Sequence, residues 1–369
     1  MFFERGLRLL RGGGRCALIV PSGFATDQQC GPLRRRLLER TVVDTFTTVD
    51  NHDGIFPIHR SLKFLLLTFT AGGATAAVPM RSGVRSCETL DRVPDAGIDR
   101  DAVLLQKTLI ERISGEGLEL PDLRCEEDVR IVSGITFRVP ASSDPAGWNI
   151  HFGRELNATD DKPHFTAGPG LPIVEGKHLR PFGVDACPVR FRIPQRAAAV
   201  LLDPARTFGR DRLAYRDVAS PTNRTTLIAA IVPRNVVTTH TVFCVKEGLE
   251  PEEQHFLCGI LNSYVANYLV RMRVGTHVTT AIVARLPIPK PERSHPLFTG
   301  IASVARSLAA QWNPADDRRL NAMAGYLYGL DQAGFARVVS TFPLIDAAER
   351  SAAVAEFERI ASKASGNAG

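Results

Sequence analysis

The order of elements over the first seventy residues constrains the fold most. Residues 2–10 pattern as the end of an amphipathic helix, with Phe2, Phe3, Leu7 and Leu10 on one side, and Gly12–Gly14 stop it. Arg15–Val20 is a short apolar run that predicts a buried strand, closed by Pro21-Ser22-Gly23. Pro32–Arg40 predicts a short basic helix, Val42–Val49 alternates like a strand, and Leu62–Phe69 predicts another buried strand. Helix–strand–helix–strand–strand is the second half of a doubly wound α/β domain without its first half. Three strands cannot cover both faces of a parallel sheet, so this region implies either a missing partner or a compromised core. A chain that opens at Met1 inside such a helix reads as truncated or separately encoded.

The remainder changes character several times. Residues 71–98, rich in Gly, Pro and small side chains, predict a linker or an insert. Asp99–Ile113 predicts a helix, and residues 121–170 are acidic and loop-rich. Leu171–Pro289 carries β-type patterning, with strands expected at Leu213–Tyr215, Thr226–Ile231 and Thr241–Val245, then one helix from about Glu252 to Arg273. Three more helices are expected at 296–311, 315–330 and 346–363.

Composition narrows the class. A hydrophobic fraction of 44% and a charged fraction of 23% are ordinary for a globular protein. The longest apolar run, near Phe64–Phe69, is far too short to span a bilayer, and the N-terminus has no apolar stretch long enough for a signal peptide. No membrane partner is therefore expected. The seven cysteines are scattered and never form C-x-x-C. That argues against a disulfide framework and a zinc site, and fits a reducing, cytoplasmic setting.

The net charge of +6 is uneven. Residues 1–72 carry 10 basic and 6 acidic side chains, 73–170 carry 11 and 16, 171–290 carry 16 and 9, and 291–369 carry 8 and 8. The basic excess thus sits in 171–290, where it would gather phosphate, or it reflects an arginine-rich composition throughout, since only seven lysines occur. No H-E-x-x-H, no H-x-E with P-C-x-x-C, no Ser-His-Asp spacing and no P-loop is present, so metal hydrolysis and acyl transfer have little support.

Five segments carry a resemblance. They are FFERGLRLLRGGGRCALIVPSGFATD with TVVDTFTTVDNHDGIFPIHRSLKFLLLTF, then HFGRELNATDDKPHF with GLPIVEGKHLRPF, RLAYRDVASPTNRTTLIAAIVP, LNSYVANYLVRMRVGTHVTTAIVARLPIP, and LNAMAGYLYGLDQAGFARVVSTFPLI. In this order they resemble type IIG restriction–modification adenine-N6 DNA methyltransferases: the end of the methylase domain followed by a TaqI-like specificity domain. The match is weakest over 71–100. It implies an α/β plus α+β chain in which the C-terminal half of a doubly wound methyltransferase sheet is followed by a mixed target-recognition domain and a C-terminal helical segment. The implied divisions are a partial Rossmann-like methyltransferase domain at 1–72, a linker or insert at 73–170, a DNA specificity domain at 171–290 and helices at 291–369.

The resemblance implies methyl transfer from S-adenosylmethionine to adenine N6 in double-stranded DNA, with the base flipped out of the duplex. Two of the family's catalytic parts have no counterpart here. The strings nearest to its Asn-Pro-Pro-aromatic tetrapeptide, Asp203-Pro204-Ala205-Arg206 and Asn313-Pro314-Ala315-Asp316, lack the second proline and the aromatic. Gly12-Gly13-Gly14 lies between helix and strand, whereas a nucleotide loop follows a strand and opens a helix, so it predicts a tight turn. S-adenosylmethionine is thus expected for the family and not for this chain alone, no catalytic residue is assigned, and an upstream polypeptide would carry the missing methylase half.

By family position, Phe56 with Pro57, Asn51 and Arg60 would border the flipped-base pocket; Phe56 is equally readable as a loop anchor in the core. In 216–225, Arg216, Thr222, Asn223, Arg224 and Thr225 form a polar turn suited to phosphate and base edges. The same turn is also readable as purely structural, with Asp217 pairing Arg216 or Arg224. Lys177, beside Gly176, is a phosphate point charge or a solvated surface lysine. Thr276, His277, Thr279 and Thr280 would line the same groove, although a lone histidine is often structural. Residues 153–161 read as a docking strap with no chemical role. The alternative reading of the whole is a non-enzymatic DNA-binding specificity or interaction protein, or an inactive remnant.

Overall fold

The computed structural model describes residues 2–60, 62–92 and 99–366. The chain divides into two compact units, Met1–Phe137 and Arg138–Gly369. The first runs α1 (Phe2–Leu9), β1 (Arg15–Pro21), α2 (Gly23–Thr26), α3 (Gly31–Arg40), β2 (Thr41–Asp50), β3 (Lys63–Ala71), β4 (Ala77–Val84), α4 (Cys87–Asp91), β5 (Val103–Gln106), α5 (Lys107–Ser114) and α6 (Glu126–Arg138).

Its single sheet has the order β1-β3-β2-β4-β5. Strand β3 lies between β1 and β2 and runs antiparallel to both, so β1 and β2 point the same way. Strand β4 is parallel to β2, and β5 is antiparallel to β4. The apolar run in β3 explains its central place: Leu65, Leu67 and Phe69 are buried on one face, and Phe3 of α1 meets the Phe69 ring edge-on at 5.4 Å. The other face is more polar, with the Thr45 and Thr68 hydroxyls 2.7 Å apart and Thr70 donating to Asp44 at 2.9 Å. Strand β1 ends the sheet, and none of its residues is buried.

Three expectations change here. The stretch read as a linker carries β4, because Val78, Met80 and Val84 bury against the sheet after a turn in which Gly72 and Gly73 take φ of 91° and 84°. Residues 93–98 of that stretch lie outside the described residues, as does Met1. The helix expected over Asp99–Ile113 is instead strand β5 followed by α5: Val103 and Leu105 alternate inward with period two, and the helix starts only at Lys107. The acidic stretch after 121 holds α6, whose first turn carries Glu126, Glu127 and Asp128 and whose Ile131, Val132 and Ile135 are buried.

The second unit opens with short strands β6 (Phe152–Gly153), β7 (Leu171–Val174), β8 (Leu179–Arg180), β9 (Gly183–Val184) and β10 (Arg192–Ile193), then α7 (Gln195–Leu201). Strands β11 (Arg212–Arg216), β12 (Ala229–Val232), β13 (Val237–Thr238) and β14 (Val242–Val245) follow. The helices are α8 (Pro251–Asn262), α9 (Tyr264–Arg271), α10 (Thr280–Ala284), α11 (Pro296–Ala310), α12 (Pro314–Leu327), α13 (Gln332–Ser340) and α14 (Ala347–Gly366). The sheets have the orders β12-β11-β14-β6, β10-β7-β13 and β8-β9. Between them lie Val174, Leu179, Ala214, Ala230, Val242 and Cys244 in one buried cluster and Leu156, Ile173, Ile193, Phe208 and Val237 in another.

A buried ion pair fastens this sheet region. Arg212 Nε and Nη2 donate to Glu155 at 2.5 and 2.8 Å, and the same carboxylate accepts from the Thr238 amide at 2.8 Å. The expected docking strap at 153–161 therefore carries the internal partner of a buried arginine. The single helix expected from Glu252 breaks at Ser263, whose φ/ψ of −67°/156° ends α8 and whose hydroxyl caps α9. Asn267 Oδ1 accepts from both Thr226 and Leu227 amides at 2.8 Å, which is why the strand expected from Thr226 starts only at Ala229. Among the described residues after 291 there are four helices, not three; the short α13 lies between Gly329 and Pro343.

Candidate nucleic-acid interface

The site is built around the end of β11. The turn Glu175–His178 is closed by the Glu175 amide donating to His178 Nδ1 at 2.9 Å, and the Gly176 amide donates to Thr241 Oγ1 at 2.8 Å. A side chain at 176 would place its Cβ 2.9 Å from Arg216 Cγ and 3.0 Å from the Thr241 carbonyl oxygen. Only glycine lets this turn press onto Arg216. Lys177 beside it is exposed, with Nζ 2.7 Å from Glu175 Oε2.

Arg216 is half-buried, and its backbone amide donates to the Ile228 carbonyl at 3.0 Å. Its Nε has no hydrogen-bond partner, and no carboxylate pairs with its guanidinium among the described residues. Burial alone lowers its pKa below the ordinary guanidinium value. A half-buried cation without a counter-ion favours a nearby negative charge.

The next residues form a short ribbon with the loop after α9. Val218 and His277 are bridge partners, flanked by the Ala219 amide donating to the Thr276 carbonyl at 3.1 Å and the Val278 amide donating to the Asp217 carbonyl at 2.8 Å. The His277 imidazole is 53% exposed, and its Nδ1 lies 3.1 Å from Oδ2 of the buried Asp217. The sequence alternatives paired Asp217 with Arg216 or Arg224; its partner is His277, because the ribbon brings 277 across from 218.

The turn after the ribbon is anchored on the helices. Ser220 and Thr222 hydroxyls are 2.8 Å apart, and the Asn223 amide donates to the Ser220 carbonyl at 3.1 Å. Arg271 of α9 donates to the Asn223 carbonyl, to the Arg224 carbonyl at 3.2 Å and to Thr226 Oγ1 at 3.1 Å. Burial pushes the Arg271 pKa down to about 10, and its guanidinium stacks 4.3 Å over Phe342. Arg224 is held by Glu349 of α14, with Nη2 3.3 Å from Oε2. Thr225 is half-buried. Thr279 caps the five-residue α10 by accepting from Ile282 N at 3.4 Å, and Thr280 begins that helix.

Lys177, Arg216, Thr276 and His277 therefore sit on two turns tied to the same strand end. Thr222, Asn223 and Arg224 belong to a neighbouring turn whose arginine already has a carboxylate. Sequence reasoning passed over Val218, an exposed valine directly opposite His277, and gave Asp217 no role toward the histidine.

In the first unit, the expected base-pocket residues are arranged around Asn51. Its buried amide accepts from the Phe56 backbone N–H at 2.8 Å and donates to the Phe56 and Ile58 carbonyls at 3.1 and 3.2 Å. Asn51 thus shapes the loop and faces inward, leaving no atom of its amide for a base. Phe56 is 39% exposed and packs edge-on against Phe64 at 5.0 Å. Pro57 is exposed, and Arg60 donates to the His52 carbonyl at 3.4 Å. Ser61 of this string lies outside the described residues.

The glycine run at 12–14 forms a tight turn, with the Gly14 amide donating to the Arg11 carbonyl at 2.9 Å. Gly13 has φ of 76°, and its amide donates to the Ala71 carbonyl at the end of β3 at 2.8 Å. A Cβ on Gly12 or Gly13 would meet nothing within 4 Å, so the run cradles no group.

No protein-family model and no curated protein sequence matches the chain. Among solved structures it is similar to the type IIL restriction-modification enzyme MmeI in complex with DNA. That likeness has 12% identity and a TM-score of 0.49, covering 92% of this chain and 51% of that one. It is also similar to the type IIG restriction endonuclease BpuSI, with 12% identity and a TM-score of 0.40, covering 97% and 48%. The chain spans about half the length of these structures. Among the described residues no helix is long and apolar enough to cross a membrane.

Proposed function

We propose that the second unit binds double-stranded DNA on the surface that carries Lys177, Arg216, Thr276 and His277. The observation that carries this reading is Arg216: a half-buried guanidinium with no carboxylate partner, its Nε unpartnered, under a glycine turn that presents a second cation. A phosphate would supply the counter-charge that the guanidinium lacks, and counterion release would supply affinity. Thr276 and the turn at Thr222 and Asn223 add hydroxyl and side-chain amide groups of the kind that position a duplex.

We further assign the chain, on the sequence resemblance, to the C-terminal part of an S-adenosylmethionine-dependent adenine-N6 DNA methyltransferase of restriction–modification type. The reversed strand β3 between two parallel neighbours suits the closing half of such a sheet, and the bare edge of β1 suits pairing with an upstream half. Phe56, half-exposed before β3, would stack against the extruded base. Methyl transfer would then require the polypeptide that supplies the cofactor loop and the Asn-Pro-Pro-aromatic tetrapeptide. The second reading, a DNA-binding specificity protein without catalysis, is favoured by the closed turn at Gly12–Gly14.

Duplex-binding titrations at several salt concentrations test the DNA reading, with Arg216→Ala as the diagnostic variant. Methylation assays on the chain alone and after co-expression with a polypeptide carrying the cofactor loop and the tetrapeptide separate the enzymatic reading from the non-catalytic one. Activity only in the second case supports the methyltransferase assignment; binding without activity in both supports the specificity protein.

A further inference from the structure

A carboxylate only accepts hydrogen bonds, so the contact between Asp217 Oδ2 and His277 Nδ1 at 3.1 Å places the ring proton on Nδ1. With that proton on Nδ1, the acceptor of the neutral ring is Nε2. The ring is half-exposed, whereas the carboxylate that orients it is buried. The backbone of 277 is fixed as well, between the Ala219–Thr276 and Asp217–Val278 hydrogen bonds. This is a rigid acceptor on an exposed ribbon, not a mobile loop side chain.

The residue directly opposite is Val218, a large apolar side chain that is 50% exposed. Because the flanking hydrogen bonds lie on either side of the pair, Val218 and His277 form the closely spaced, non-hydrogen-bonded kind of cross-strand pair, with side chains about 5 Å apart at Cβ. The ribbon therefore displays a hydrogen-bond acceptor beside a methyl-bearing surface.

Resting on the DNA-binding reading, we infer that His277 and Val218 together read one A·T pair in the major groove. Adenine N6 donates to His277 Nε2, and the thymine C5-methyl of the same pair packs against Val218. Only the A·T pair shows an amine donor and a methyl together on that edge; cytosine offers the amine without the methyl, and guanine offers only acceptors. Asp217 is the positioning residue, since it sets the tautomer. A two-stranded ribbon is narrow enough to enter the major groove.

The test is selection of preferred duplexes from a randomised pool with the full chain, followed by affinities for the selected sequence and its single-pair variants. The wild type is expected to require A·T at one position. His277→Ala is expected to lose about tenfold or more in discrimination at that pair alone, and His277→Gln, whose amide also suits adenine, to retain it. Val218→Ala is expected to abolish discrimination between thymine and uracil at the same pair. A His277→Ala variant that weakens all sequences equally, or variants that affect different positions, overturns the assignment while leaving DNA binding intact. A wild type with no affinity for any duplex removes the DNA-binding reading itself, and the assignment with it.

Discussion

The buried carboxylate of Asp217 fixes the exposed imidazole of His277 through a 3.1 Å contact at Nδ1. Asp217→Asn replaces an acceptor with a group that donates to Nδ1, which drives the ring proton to Nε2. The variant is expected to lose preference at the A·T pair as His277→Ala does, and to melt with at most about 1 kcal/mol less stability. Binding-site selection and thermal melts on the same preparation check this; an unchanged preference would show that the tautomer does not matter.

Arg216 is a different kind of contact. Without a carboxylate to lose, Arg216→Ala is expected to cost only the packing of its stem under the Gly176 turn, while lowering duplex affinity uniformly across sequences and reducing the salt slope by about one. Arg224→Ala, by contrast, breaks the pair with Glu349, an exposed-to-half-buried bridge worth under about 1 kcal/mol. It is expected to leave duplex affinity within about threefold of the parent, read by fluorescence anisotropy.

Asp317 of α12 carries a stability signature. Burial, then the nearby Glu349, pushes its carboxyl pKa up to about 6, against the pull of Arg224 and Arg318. Ionisation is therefore harder in the folded chain than in the unfolded one. Stability that is full below the unfolded carboxylate range, about pH 4, is lost as pH rises through about 6. Asp317→Asn is expected to flatten that loss and to be about 1–2 kcal/mol more stable than the parent at pH 7, measured by urea melts across pH 4–7.

Glu155→Ala would strand Arg212 in the core without its carboxylate. A loss of about 3–5 kcal/mol is expected, seen as a lower urea midpoint. A loss below about 1 kcal/mol would mean that the three carbonyls around Arg212 hold the guanidinium unaided.

Much of the first unit was legible because its signals are local. The β1, β2 and β3 strands follow from apolar runs and alternation, and α3 from its basic helical stretch between Gly31 and Arg40. What failed was also physical. Strand β4 has Pro79 and Gly83 within it, which reads as loop until the edge of β2 is available to pair with it. In the second unit, side-chain amides do the work of strand partners and caps: Asn262, Asn267 and Asn321 satisfy backbone amides at Ala229, Thr226, Leu227 and Tyr264. Such pairings span tens of residues and leave no periodicity. The candidate side chains were visible as residue types, but the ribbon that pairs 218 with 277, and the carboxylate that holds the histidine, are long-range facts of the fold.

The edge of β1 offers a separate check. Its interior lacks charge, and Ile19 is 60% exposed. Ile19→Lys is expected to raise the soluble, monomeric fraction of the isolated chain in size-exclusion runs and to block complementation by an upstream methylase half. Unchanged behaviour on both counts would mean that this edge is not a pairing surface.

Duplex affinity measured from low to moderate salt, for the parent chain and for Arg216→Ala side by side, bears most directly on the claim that the second unit grips DNA. The account predicts a logarithm of affinity that falls linearly with the logarithm of salt in the parent, and a weaker, shallower line for the variant. Two superimposable lines, or a parent affinity indifferent to salt, would contradict it.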